Sequence, residues 1–591
     1  MLSWVGKRPL REVRSFPAQL VERFAPPTPA GVVSDAVDWS DWPDRFDRSG
    51  LLFHGDNKEV LAHLLANGFR GKVDLVYIDP PFDSGADYVR KVQLRGASGS
   101  ARLDGTDYTL GEQIQYTDIW ANDTYLQFMY ERLLLIKELL RPSGSIYVHM
   151  DSSRGHQIKL VLDEVFGVGS FQREIVWRIG WISGYKSVAK NWIRNHDTIL
   201  YYVAGSTPTF NKEYIPYPAG YVRRDGAAPT GEGYPIEDTW NSTDLDRMDS
   251  IQIMSFSGEK VDFPTQKNEN LLTRVVRASS NPGDIVLDCF IGSGTTAAVA
   301  QKLGRRWIGA DINKGAIQTT EKRLAAIIDA EIAAGGGEQL TIEAAADGPP
   351  KPAQTSFTVH RVNDYDLQIQ HNEAVELAVE HLGISRTRTD AFFTGTLGKE
   401  LAYVVPFDHP TTVLDLQAVA RELDARPTVE LDVVVVGLGL ELAAQAWLEN
   451  HNRHRPVNKV RVIDLRTDPK HGRFFEHRPA SARVSFERAD GRIRVRIDDF
   501  MSPSILERLS GEQGILAPSI DDWRSMVDSV AIDAAYDGEV FDVDMIDIPA
   551  RRSDLVEGSY DLAAPAVGAD RPAAVRITDM LGEEILLVED R

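Results

Sequence analysis

The stretch Ile285–Asn313, "IVLDCFIGSGTTAAVAQKLGRRWIGADIN", decides the fold. It reads as strand, glycine loop, helix and strand, with Gly292-x-Gly294-x-x-Ala297 in the loop and Asp311 closing the second strand. Glycines there permit a tight turn and close ligand approach, and an acid ending the second strand can accept from ribose hydroxyls. Working outward, "LLTRVVRASSNPG" supplies a helix and turn before it. Residues from Ser49 to Asp151 alternate strand and helix, which implies a parallel sheet of the Rossmann-like α/β class.

The loop has two candidate ligands. A nicotinamide or flavin dinucleotide is the first. Asp288, however, stands before the loop, where a carboxylate repels a pyrophosphate and accepts from an ammonium group. The loop also falls late in the chain, after a sheet portion with its own acid-tipped strands. A ligand with a ribose and a cationic amino acid, S-adenosylmethionine, fits better. One of those earlier strands ends in "DLVYIDPPFDSGADY" (Asp74–Tyr88). Proline removes backbone donors and Pro81 drives Pro80 towards an extended conformation. Asp79, the Pro80 carbonyl and Phe82 thus make a polar slot with a stacking wall where α/β sheets bind ligands. The alternative is a rigid turn with a buried Phe.

The chain has 591 residues, enough for several domains. No apolar run is long enough for a bilayer, the N-terminus carries no continuous apolar signal segment, and Cys289 is the only cysteine. A cytoplasmic protein without membrane partners, disulfides or a metal site is expected. The net charge of -22 argues against a nonspecific nucleic-acid coat protein. Charge is unevenly spread, however. Asp521–Arg591 holds 18 acidic and 6 basic residues, whereas Phe171–Asp225 holds 8 basic, 4 acidic and 11 aromatic residues. The second segment has the composition of a nucleic-acid contact. The first would repel DNA and is expected to form a separable docking or self-association module.

Taken together, the motifs resemble the β-class of DNA amino-methyltransferases over roughly residues 48–330. In that class an Asp/Asn/Ser-Pro-Pro-aromatic motif precedes the target recognition region, and the cofactor loop comes last. This chain runs Asp79-Pro80-Pro81-Phe82, the aromatic-basic insert, "DFPTQKNENLLTRVV", then "LDCFIGSGTT". Within the class it is similar to the modification (Mod) subunits of type III restriction systems. The family usually has Tyr at Phe82 and Pro at Asn268; Phe keeps the stacking face, and Asn268 is expected to loosen entry to the following helix.

The resemblance implies a circularly permuted methyltransferase core transferring methyl from S-adenosylmethionine to adenine N6 of a flipped base, in a restriction-modification or phage-defence setting. Cytosine N4 is the alternative target, and a dinucleotide-dependent oxidoreductase or a noncatalytic DNA-binding scaffold are more distant rivals. It makes Asp79, Pro80, Pro81 and Phe82 catalytic. It places Asp288, Phe290, Gly292, Ser293, Gly294 and Thr295 around the methionine moiety, Asp311 on the ribose and Asp56 near the adenine, with Thr265, Gln266 and Lys267 closing the methionine end. A helix N-cap is the other reading of Asp56. In the insert, Arg178, Lys186, Lys190 and Arg194 are candidate DNA contacts among Trp181, Tyr185 and Trp192; a half-buried strand pair with a solvated face is the plainer account. Double-stranded DNA, a helicase-like restriction or defence subunit and a second copy of the chain are the partners implied.

The expected organisation is an arm (1–47), a catalytic half-core (48–170), a target recognition region (171–254), a cofactor half-core (255–335), a linker (336–356), a C-terminal α/β domain (357–515) and an acidic β-sandwich (516–591). Asp468-Pro469-Lys470 matches a nuclease-type triplet but also a solvated turn. "HNRHR" (His451–Arg455) lacks zinc-site spacing and suits a helix end.

Overall fold

The computed structural model describes residues 2–4, 7–13, 15–26, 39–82, 87–95, 109–117, 124–178, 190, 192–241, 261, 266–333, 354–362, 378–379, 382–387, 390, 392–405, 411–437, 439–454, 457–465, 480–506, 520, 522–549, 553–565 and 570–590. The chain divides into two compact units. One holds residues 1–118, 122–363 and 480–591; the other holds 119–121 and 364–479.

In chain order, the first unit opens with β1 (Ala18–Phe24), β2 (Gly50–His54), α1 (Asn57–Ala66), β3 (Val73–Ile78), the hairpin β4 (Asp87–Gln93) and β5 (Thr109–Thr117), and α2 (Thr124–Leu139). It continues through β6 (Leu140–Met150), α3 (Gly155–Phe166), β7 (Phe171–Arg178), β8 (His196–Val203) and the short β9 (Tyr214–Ile215), β10 (Tyr234–Pro235) and β11 (Thr239–Trp240). The cofactor-loop half follows as α4 (Glu269–Ser279), β12 (Ile285–Asp288), α5 (Thr295–Lys302), β13 (Arg306–Asp311), α6 (Lys314–Ala333) and β14 (Phe357–Val362).

These build one mixed sheet, ordered β11-β7-β8-β6-β3-β12-β13-β2-β14-β1, with Phe541–Val543 at the β1 edge. From β6 to β14 every neighbouring pair is parallel. Parallel strands are covered on both faces, so they read as continuous apolar runs. All six residues of β3 are accordingly buried. Each such aliphatic side chain contributes about 1.5–3 kcal/mol. Against the sheet, α4 turns Leu271, Leu272, Val275 and Val276 inward on one face. Among the described residues no helix is long and apolar enough to cross a membrane.

Several segments sit elsewhere than their composition suggested. The expected arm contains β1, which pairs antiparallel with β14 and parallel with Phe541–Val543. Trp42 and Phe46 are buried there, both against Phe69. Its Pro and Arg content hid a seven-residue strand of the main sheet. The expected insert opens and continues with two strands of the main sheet: β8 pairs antiparallel with β6, and β7 with β8. Period-2 patterning does not reveal which sheet a strand joins.

Similarly, β14 belongs to the main sheet, so the second α/β unit does not begin at residue 357. That unit, 364–479, carries strands 385–386, 395–397, 400–404, 433–437 and 460–464 in that spatial order, the last three parallel. Its described helices include Val413–Ala425, which a Thr412/Asp415 capping box starts, and Leu442–His454. His451 and His454 lie in that helix's last turn, and Asp468–Lys470 falls outside the described residues.

The terminal sandwich starts well before residue 516. Strands 481–489, 492–501 and 559–563 form one sheet, and 545–547, 527–533, 574–579 and 584–588 the other. Ile493, Val495, Phe500, Val530, Ile532, Val575 and Ile577 fill the space between them.

Candidate active site

Strands β3, β12, β13 and β2 are consecutive neighbours in the sheet, and each delivers an acid at its carboxyl end: Asp79, Asp288, Asp311 and Asp56. Register sets their stagger, with Leu287 opposite Val76, Asp288 opposite Gly309 and Asp311 opposite His54. The two motifs far apart in sequence therefore share one sheet edge.

At the β3 end, Pro80 is buried, and Asp79 and Phe82 are partly exposed. Lys267 Nζ donates to Asp79 Oδ2, while Asp79 Oδ1 is buried with no hydrogen-bond partner. The same ammonium lies 5.6 Å from the centre of the Phe82 ring. Phe82 is backed by His149 of β6, ring centres 6.1 Å apart. His149 is fully buried, bridging Tyr77 Oη at 2.8 Å and Asp197 Oδ2 at 3.4 Å. Burial works against charge on Asp197, yet the His149 hydrogen bond and the Arg194 and Lys267 charges bring its carboxyl down to about 2. Burial drives the Tyr77 phenol well above its ordinary value. Sequence reading missed this support. Its only trace is a polar His inside the apolar strand "SIYVHM".

In the glycine loop, Gly294 takes φ +77°, and a Cβ there would meet Thr320 Oγ1 at 2.8 Å. The turn therefore needs glycine. Asp288 accepts from Phe290 N at 2.9 Å and Thr296 Oγ1 at 2.6 Å. Burial pushes its carboxyl up to about 7, against those two hydrogen bonds, and the Asp79 and Asp311 charges push the same way. Asp311 accepts from Gly292 N and Asn313 N, each at 2.9 Å, and burial raises it too. Arg323 fixes the loop from below, donating to Ser293 O at 3.1 Å, Thr295 Oγ1 at 3.0 Å and Glu269 Oε1 at 2.6 Å. Phe290 stands 6.1 Å from Phe128.

Asp56 is the N-cap of α1, accepting from Lys58 N at 2.8 Å, and it pairs with the buried Arg132 at 2.8 Å. Capping is thus a role it fills. Gln266 Oε1 accepts from Val261 N at 3.0 Å, and Thr265 lies outside the described residues. Asn268 does not loosen α4. It is its buried N-cap, accepting from Leu271 N at 3.2 Å; proline at the same place has no such acceptor. Of the candidate DNA contacts, Arg178 and Lys190 are exposed, and Lys186 lies outside the described residues. Arg194 is paired with Asp197 and, at 3.5 Å, with Asp151.

A cationic cofactor suits this edge. Asp79, Asp288 and Asp311 crowd together closely enough for the other two to raise Asp288. A positive ligand relieves that repulsion, and a pyrophosphate would increase it.

Residues 73–322 match the family described as DNA methylase, with N6 and N4 amino groups as targets. The chain is 30% identical over 330 residues to the type II methyltransferase M.EcaI of Enterobacter cloacae, covering 46% of this chain and 68% of that one. The DNA adenine methyltransferase YhdJ of Escherichia coli is 28% identical over 284 residues, 48% of this chain and 85% of its own. The StyLTI Mod subunit of a type III restriction-modification enzyme from Salmonella typhimurium is 24% identical over 347 residues, and the chain spans only 53% of its length. With its two motifs converging on one sheet edge, the chain belongs to the N6/N4 DNA methylase family, whose methyl donor is S-adenosylmethionine.

Proposed function

We propose that the protein methylates N6 of adenine in double-stranded DNA. The observation that carries this reading is Asp79: an acid on a rigid Pro-Pro turn, with one oxygen buried and unpartnered, beside an aromatic face. An exocyclic amine held between Asp79 Oδ1 and the Pro80 carbonyl satisfies that orphan acceptor, and the base ring rests on Phe82. Such an amine is paired and stacked in a duplex, so the base must leave the helix. Bound S-adenosylmethionine supplies an electrophilic methyl group on its sulfonium. The residues contribute position above all: two acceptors fix the amine so that its lone pair is aligned. Asp79 accepts the amine proton after the nitrogen has become cationic.

Asp288, Phe290, Gly292, Ser293, Gly294 and Thr295 line the methionine side in this reading, Asp311 takes the ribose hydroxyls and Asp56 lies towards the adenine. Adenine is favoured over cytosine because the motif opens with Asp and because the adenine methyltransferase YhdJ is a relative along 85% of its length. The exposed Arg178 and Lys190 provide phosphate contacts. Kinship with the StyLTI Mod subunit, a part of a type III restriction-modification enzyme, supports a restriction-modification role beside a partner subunit. The test is the nucleoside product. Purified protein, PCR-amplified genomic DNA and S-adenosylmethionine should yield N6-methyladenine by mass spectrometry. N4-methylcytosine instead would reassign the target, and no methylated base would refute the activity.

A further inference from the structure

We propose that Lys267 is a positioning residue for the transfer step, acting through Asp79, rather than a cofactor ligand; this rests on the methyltransfer reading above. Three contacts converge on the residue. Its ammonium donates to Asp79 Oδ2, which leaves Oδ1 as the buried, unpartnered oxygen. It lies 5.6 Å from the Phe82 ring centre. Its main-chain carbonyl accepts from Thr295 Oγ1 at 3.2 Å, and Thr295 is the first residue of α5 at the glycine loop.

The consequence is geometric. A carboxylate on a turn after a strand rotates about its χ angles unless something holds one oxygen. Lys267 holds Oδ2, so the other oxygen is fixed and left as a buried acceptor with no partner. The tether does not drift, because Asn268 caps α4 immediately behind Lys267. Glu269, the first residue of α4, is locked by Arg323 at 2.6 Å and Lys302 at 2.8 Å. Arg323 also holds Ser293 and Thr295 of the cofactor loop. Lys267 is thus the point where the catalytic turn and the glycine loop, from opposite ends of the motif order, are set at a fixed separation. Transfer depends on that separation, since small misplacements of reacting groups are costly.

The test compares Lys267→Met and Lys267→Arg with the wild type in the full-length protein, using tritiated S-adenosylmethionine and PCR-amplified genomic DNA. Cofactor affinity is measured separately by calorimetry. Lys267→Met should lower kcat at least thirty-fold while the S-adenosylmethionine Kd stays within three-fold. Lys267→Arg, which restores a cation, should recover at least ten-fold of the loss. In an Asp79→Asn background, Lys267→Met should lower the single-turnover rate less than three-fold further, because both changes act on one oxygen pair. A kcat within three-fold of wild type overturns the proposal. So does a loss that appears mainly as a weakened cofactor Kd, since that returns the lysine to the cofactor site, and so does no recovery in Lys267→Arg. Failure of the wild type to methylate any base would instead strike the methyltransfer reading itself.

Discussion

Arg576 of the terminal sandwich grips both carboxylate oxygens of Glu22 in β1, with Nη2 to Oε1 at 2.8 Å, across 554 positions of sequence. Burial works to lower the Arg576 guanidinium, but Glu22 and Glu584 hold it well above its ordinary value. Other acids of the chain's end are held in the same way. Asp528 meets Arg95 at 2.7 Å and also Lys322 of α6, and Glu584 meets Lys314 of α6 at 3.1 Å. Asp528 and Glu584 of this acidic region are therefore tied to α6 of the core. The sandwich shares one compact unit with the core and so is not a separate module.

Removing one partner of a buried pair leaves the other charge uncompensated and costs about 3–5 kcal/mol. Because Glu584 still faces Arg576, Glu22→Gln should lower the stability of the first unit by less, about 1.5–3 kcal/mol for the lost charged hydrogen bonds, read as a shift in the urea midpoint with an unchanged slope. Deleting residues 480–591 should expose the β1 edge and yield an aggregating protein. A folded, cofactor-binding truncation would show that the sandwich is dispensable after all.

Asp79→Ala should abolish the oriented amine contacts while leaving the glycine loop intact. Loss of a transition-state contact of this kind is worth about 3 kcal/mol, roughly a hundred-fold in kcat. S-adenosylmethionine affinity, measured by calorimetry, should change only a few-fold. Near-normal turnover would remove Asp79 from the chemistry.

Phe82 should behave as a stacking wall. Base–aromatic stacking is worth about 1–3 kcal/mol per base. Phe82→Ala should therefore weaken capture of an extruded 2-aminopurine by roughly ten-fold, whereas Phe82→Tyr and Phe82→Trp should not. Equal fluorescence responses in all three variants would make Phe82 a packing residue on His149.

Much of this site could be read from the sequence because it depends on backbone chemistry. Asp-Pro-Pro-Phe after an apolar run, and Gly-x-Gly before a helix, each specify a turn by residue type alone. Long-range pairing could not be read in the same way. Nothing local to "AQLVERF" announces that it pairs with residues 357–362 and 541–543, or that "FTVHRV" joins the first unit and not the second. His149 was equally hidden. A histidine in a strand becomes meaningful only when Tyr77 and Asp197 arrive on the flanking strands. Asn268 looked like a defect against the family's proline because helix capping and proline entry are two solutions to the same problem.

Asp288 gives the site a pH signature. Burial, reinforced by the Asp79 and Asp311 charges, raises its carboxyl to about 7, far above an ordinary aspartate. Without ligand, the folded protein takes up a proton there as pH falls through about 7, where the unfolded chain does not. The resulting stabilisation is complete below the ordinary aspartate range and is lost as pH rises through about 7. A cationic group seated against Asp288 favours its ionised form, so binding must expel that proton. The S-adenosylmethionine Kd should then tighten about ten-fold between pH 6 and pH 8, since only the ionised fraction binds well. Calorimetry in two buffers of different ionisation enthalpy should show proton release on binding at pH 6.5. In Asp288→Asn both the pH dependence and the proton release should vanish, with the loop still closed through Thr296 and Phe290. A cofactor affinity that is flat from pH 6 to pH 8 in the wild type would mean that the ammonium group sits away from Asp288.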